Sequence, residues 1–413
     1  METMFLPATA PAAPTAPAVE LAELLRAVAE RLSGGTPCAL PNFGVALGQG
    51  GLLLFNCHYA AYSGQPQYYD LALQQLEQML SRLQPQAYRS NNGSKYYQEL
   101  AELGGLLDYL VRHGHLDWDV EPLLCQFDAL LEPRLALYLA AGNLEIMNGA
   151  LSVGQYFLRR LPHSVTARRT MTALLDALQA TQEGSEATGY YWTCHRIVEP
   201  RVYTGLSHGS AMIISFVASV YEAGFAVEKC ARLLHYASRF VLRTRLDPTR
   251  FHSSIPLWRG REEPTTNLCL LYGDASTACA LVRAARLLGN APDLADATHI
   301  ATLTTRPEAG HAPFPNEASV WYGVGGAYLV YDYLHRQTGA PAFATAAARW
   351  AARLPAQAVF ENEYLNFSSN YHQVSHHANA QLNFNFGLAG VGLTLIQALS
   401  QGRHLLDEFT WLA

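Results

Sequence analysis

Residues 267–277, "NLCLLYGDAST", set Cys269 just ahead of Tyr272, Gly273, Asp274 and an apolar run, the outline of half a metal site. A Cys thiolate is a good zinc ligand, but a bound zinc needs three protein donors in tetrahedral reach. The remote His376 and His377 in "YHQVSHHANAQ" could contribute. The expected reading is nevertheless a buried structural thiol with surface histidines, because free Cys is among the most buried residue types. Other reactive signatures are missing from the chain: no Walker A, no GxGxxG behind a strand, no HExxH and no GxSxG.

Whatever chemistry these residues perform, a large scaffold must position them. The 413 residues are 50% hydrophobic and only 15% charged, enough to bury a large core. A net charge of -6 leaves no basic stripe for nucleic acid, so no nucleic-acid partner is expected. Seven scattered Cys without a CxxC pair point to reduced thiols and a cytoplasmic setting. The start, "METMFLPATAPAAPTAPAVE", lacks the basic and apolar regions of a signal peptide, and no transmembrane segment is expected. Residues 1–18 read as a flexible Pro/Ala-rich tail and 19–413 as one domain.

That domain is repetitive. Gly-rich clusters at Gly48, Glu99, Gly149, Gly209, Gly273, Gly323 and Gly387 each precede an apolar run, at intervals of 50 to 64 residues. Six runs end near a Gly (Gly64, Gly114, Gly224, Gly289, Gly339 and Gly402), the usual helix stop, and the third ends at Pro162. Each unit therefore reads as a buried helix followed by a more charged one, such as "AVEKCARLLHYASRFVLRTR". Seven such hairpins predict an all-α fold, an α/α toroid of seven inner and seven outer helices. The glycines themselves mostly serve close packing.

The stretches "TGLSHGSA" (204–211), "YGDAS" (272–276) and "FNFGLAGVGLTLI" (384–396), set in seven GxxG-headed repeats, resemble the HG, CYGD and GLAGIGL signatures of the LanC family, the lanthionine synthetase C-like cyclases. The resemblance covers nearly the whole chain after the tail. It implies a toroid with zinc at its mouth that adds Cys thiols of a dehydrated precursor peptide to dehydroalanine or dehydrobutyrine, closing thioether rings alongside a dehydratase. Zinc there holds the thiol as thiolate, the nucleophilic form.

Carried over residue by residue, the metal set fails. The Cys of CYGD falls on Leu271, and the Cys-His pair of the next unit falls on Trp321 and Tyr322 in "SVWYGVGG". The expected cofactor is therefore none. Cys269, two residues from Leu271, points to a different side. His208 stands at the family's acid/base position, Tyr272 and Asp274 keep the Tyr-Gly-Asp, Glu145 replaces an Asp, and Asn267 stands where Arg is common.

Chemistry without zinc is feasible. A thiol of pKa about 8.5 is roughly 3% thiolate at pH 7. A His can take its proton and return it to the enolate carbon, which makes His208 the expected shuttle. Glu145 could orient the imidazole, Tyr272 could donate to the enolate oxygen, and Asp274 caps its helix. Trp321 and Tyr322, with Phe384 and Phe386, could form an apolar groove for the peptide or plug the cavity. Two other readings stay open: a catalytically silent LanC-like scaffold for peptide and dehydratase, and a sugar-processing toroid with Glu145 and Asp274 as acid and base.

Overall fold

The computed structural model describes residues 16–34, 42–83, 93–196, 199–247, 249–262, 268–306, 317–361, 364–367, 382–400 and 402–412. Asn267, His376 and His377 lie outside them. Seven helices form an inner ring: α2 (Gln49–Ser63), α4 (Gly93–Arg112), α6 (Ala150–Arg160), α8 (Ser210–Glu222), α10 (Asp274–Leu287), α12 (Val324–Thr338) and α14 (Leu388–Leu399). Each packs on its two inner neighbours, and α14 returns to α2, so the ring is closed.

The outer ring is α1 (Ala16–Ser33), α3 (Gln67–Ser81), α5 (Glu121–Ala140), α7 (Val165–Thr181), α9 (Val227–Arg243), α11 (Ala291–Leu303) and α13 (Pro341–Ala351). Six of them follow their inner partner in sequence. The seventh outer position is filled from the front of the chain, because α1 packs on α14. Its buried stripe is Leu21, Leu24, Leu25, Val28 and Ala29, and the helix itself starts at Ala16, so it takes in the last three residues of the segment read as tail.

Burial separates the two rings as the hydropathy suggested. Every residue from Leu388 to Gln397 of α14 is buried, whereas α3 buries only Tyr68, Ala72, Leu76 and Met79, one face of a 3.6-residue helix. Two inner glycines are required by close approach. A Cβ on Gly326 would lie 2.0 Å from the Val320 carbonyl oxygen, and one on Gly392 2.4 Å from the Phe55 ring. At the far end, all six predicted stop glycines adopt positive φ, between 64° and 82°.

At the near end, a lead-in loop folds back over most inner helices. Amides of the first turn donate to carbonyls seven residues earlier: Gln49 to Asn42, Ala150 to Asn143, Ser210 to Tyr203, Val324 to Glu317 and Gly390 to Asn383. The backbone thus caps itself, and these N-caps use no side chain. Consequently the residues just before the N-cap glycines, among them His208, Tyr272, Tyr322 and Phe386, occupy equivalent places around one mouth. The second repeat departs from the pattern: α4 runs straight through Gly104 and Gly105, and its Glu99 and Glu102 instead accept from Phe43 and Ala46 amides at 2.8 and 2.9 Å, holding the first loop.

Two small hairpins interrupt the helical series. β1 (Glu183–Ser185) pairs antiparallel with β2 (Gly189–Tyr191) between α7 and α8, and β3 (Ala358–Glu361) with β4 (Tyr364–Phe367) between α13 and α14. After α14, the short α15 (Asp407–Thr410) turns into the opposite end of the ring. Asp407 takes two 2.7 Å bonds from Arg336, and Arg112 donates to Glu408 at 2.9 Å. No described helix is long and apolar enough to cross a membrane.

Candidate functional site

His208 sits at the mouth, one residue before the Gly209 N-cap of α8, with φ 64°. A non-glycine residue in this left-handed region is uncommon and is kept there by its surroundings. The Ser207 amide donates to the Leu271 carbonyl at 3.0 Å, and the Thr204 amide to Leu257 at 3.2 Å, so the turn is pinned on both sides.

The His208 ring reaches across to the lead-in loop of α6. Its Nδ1 lies 2.6 Å from Glu145 Oε2. That loop is fixed by Asn143, whose Oδ1 accepts from the Glu145 amide at 3.2 Å and whose Nδ2 donates to Asn148 O at 2.7 Å. A carboxylate only accepts, so in the neutral ring Nδ1 carries the proton and Nε2 the lone pair. Glu145 is buried, while the His208 side chain remains 28% exposed. The other carboxylate oxygen, Oε1, accepts from the Cys194 thiol at 3.1 Å. Cys194 follows β2 and bridges to Arg201, and the Tyr203 ring stands 5.7 Å from the imidazole.

Tyr272 neighbours this pair through the Ser207–Leu271 contact. Burial, the main cause, raises its hydroxyl above the usual tyrosine range, so it stays a donor. Asp274 stands in the first turn of α10, where a capping role was expected, but the Gly273 N-cap takes no side-chain bond. Asp274 is fully buried, and its carboxylate accepts from Ser253 Oγ at 2.9 Å and from the Ser254 and Ile255 amides, which anchors the loop before α10.

Around the mouth the aromatic side chains form a continuous series. Tyr272 stacks on Tyr322 at 6.3 Å, Tyr322 on Phe386 at 6.0 Å, and Trp321 meets Phe386 edge-on at 5.4 Å. Leu271, Trp321, Phe384 and Phe386 are buried, whereas Tyr272 and Tyr322 are partly open. Of the two roles foreseen for these rings, the buried ones fill space and the two tyrosines line the opening. Beneath them lies a cavity of about 80 Å³ bordered by Trp321, Phe384, Phe409 and Trp411. Cys269 is buried, donates to Tyr272 O at 3.5 Å, and burial pushes its thiol up to about 11.

The family profile described as "Lanthionine synthetase C-like protein" matches residues 42–410. The chain belongs to the lanthionine synthetase C-like family. Among solved structures, one titled "Nisin cyclase" superposes with a TM-score of 0.70 at 13% identity, covering 95% of this chain and 97% of that one, a likeness of fold. No curated protein sequence matches this one significantly.

A lanthionine synthetase C-like chain is expected to hold zinc, and the residues at the corresponding positions do not fit it. Leu271 and Trp321 offer no metal donor, and the phenol of Tyr322 sits stacked between Tyr272 and Phe386. Among the described residues, the one cluster of His, Cys, Asp and Glu with donor atoms close enough to share an ion is Glu145, Cys194 and His208. Sequence reasoning paired His208 with Glu145 but missed Cys194. The only signal for it was the extra length of the 149–209 unit, which the β1–β2 hairpin takes up.

Proposed function

We propose that this LanC-like protein closes thioether rings in a dehydrated peptide, by adding Cys thiols to dehydroalanine or dehydrobutyrine, with the His208–Glu145 pair as acid/base and without zinc. The observation that carries this reading is the 2.6 Å imidazole–carboxylate contact at the partly open mouth of the toroid. With Nδ1–H held by Glu145, Nε2 takes the proton of the substrate thiol. The thiolate attacks the dehydroalanine Cβ, a C–S bond forms, and the π pair of the C=C moves to Cα to give an enolate. The Tyr272 hydroxyl donates to the enolate oxygen, and Nε2–H returns its proton to Cα. The step is proton-neutral overall. The Tyr272–Tyr322 stack offers the peptide an apolar, partly exposed surface, and a dehydratase must supply the substrate.

The test is incubation of a dehydrated Cys-containing peptide with the purified protein, following free thiol loss. His208→Asn should slow thioether formation at least about 100-fold, the usual weight of a positioned acid/base. A chelator should not lower the wild-type rate. Full activity in His208→Asn removes the assignment, and abolition by the chelator removes the zinc-free mechanism. Tight peptide binding by the wild type with no thiol loss would instead make the chain a silent scaffold.

A further inference from the structure

The cluster at the mouth holds a third member that the acid/base reading does not use. Cys194 Sγ, a Glu145 oxygen and a His208 nitrogen all lie within 4.8 Å of one another. Together with Trp192 and Met212 they border a hollow of about 20 Å³, the space of one water molecule or one ion. The contacts already joining them are those a cation replaces, since the thiol and the imidazole N–H both donate to the same carboxylate. Thiolate, imidazole and carboxylate are together a zinc-type donor set, and three protein ligands leave a fourth position for water.

We propose that Cys194, His208 and Glu145 form a binding site for one thiophilic divalent cation, zinc being the natural probe, distinct from the Leu271, Trp321 and Tyr322 positions. Binding has a defined proton balance. The Cys194 thiol releases one proton to solvent. The His208 ring gives its Nδ1 lone pair to the ion, and its own proton moves to Nε2. One proton therefore leaves per ion bound. The loaded ring has no lone pair at Nε2, so ion binding and proton transfer through His208 exclude one another. Only this last consequence rests on the proposed cyclase reading; the binding itself does not.

The experiment is titration of the metal-free full chain with zinc, and separately with cobalt(II) as a spectroscopic probe. One ion per chain, release of about one proton and a thiolate-to-cobalt charge-transfer absorption are expected. Cys194→Ser should remove that absorption and weaken zinc by about 100-fold or more, beyond the loss expected of an outer-shell change. His208→Asn, which leaves the hairpin untouched, should weaken zinc comparably, and Cys269→Ser should change neither signal. Absence of zinc binding, or a charge-transfer band that survives Cys194→Ser and disappears in Cys269→Ser, overturns the site. Because the readout is binding, the outcome is independent of cyclisation: an inactive chain that binds one ion through Cys194 supports the site, and an active chain that binds none refutes it.

Discussion

At the scale of single residues, His208 combines a chemical and a conformational demand. Its φ of 64° is costly for most side chains and least so for Gly and Asn. His208→Asn and His208→Val remove the same imidazole, so comparing them isolates the backbone. His208→Val should be less stable than His208→Asn by about 1–2 kcal/mol, measured by denaturant unfolding. Equal stabilities would mean that the loop relaxes out of the left-handed region. The side chain itself was legible in the sequence because it immediately precedes a repeat glycine, and Glu145 because it stands four residues before another. Cys194 follows no such phase. It lies on an insertion, and only the fold of the β1–β2 segment against α9 brings it beside Glu145.

Between elements, the end of the ring opposite the site carries a second titratable group of side chains. His58 on α2 has Nδ1 3.0 Å from His404 Nδ1 and Nε2 3.0 Å from the Tyr109 hydroxyl of α4, with the His115 ring 5.2 Å away. Burial, reinforced by His115, His404 and His113, holds His58 well below the usual His value, and burial with His113 and His404 brings His115 down to about 4. The unfolded chain takes up these protons near pH 6.5, whereas the folded chain resists until about pH 4 for His115 and to well below the ordinary His range for His58. Stability from these groups is therefore present above about pH 6.5 and is lost as pH falls toward 4. The melting temperature should be several degrees lower at pH 5 than at pH 7, and His58→Gln should narrow that gap. An unchanged gap would assign the acid sensitivity to carboxylates such as Glu408, held low chiefly by Arg159 and Arg112 against the opposing effect of burial. Helix boundaries at this end followed from glycine chemistry and could be read in advance, whereas the histidines come from three separate segments, which no local pattern joins.

For the whole molecule, the decisive contact is α1 on α14. Hydropathy revealed seven inner helices and the outer helices that follow them, but it could not show that the last outer place is filled from the other end of the chain, since no periodicity links residues so far apart. Removing residues 1–33 should uncover the apolar face of α14 that Leu25, Val28 and Ala29 cover. The expected result is loss of a single cooperative melting transition, with self-association on size-exclusion chromatography. A truncated chain that melts as sharply as the whole would mean that the inner ring closes unaided.

The same pairing sets a clock on biosynthesis. The apolar stripe of α1 leaves the ribosome first, yet its partner, at residues 388–399, is made only after some 350 further residues. At ~5–20 residues per second this is on the order of tens of seconds during which α1 has no seat. Through that interval the nascent ring is an open arc with two sticky edges, and its passage to the closed form depends on whatever shields them, a chaperone or the growing chain itself.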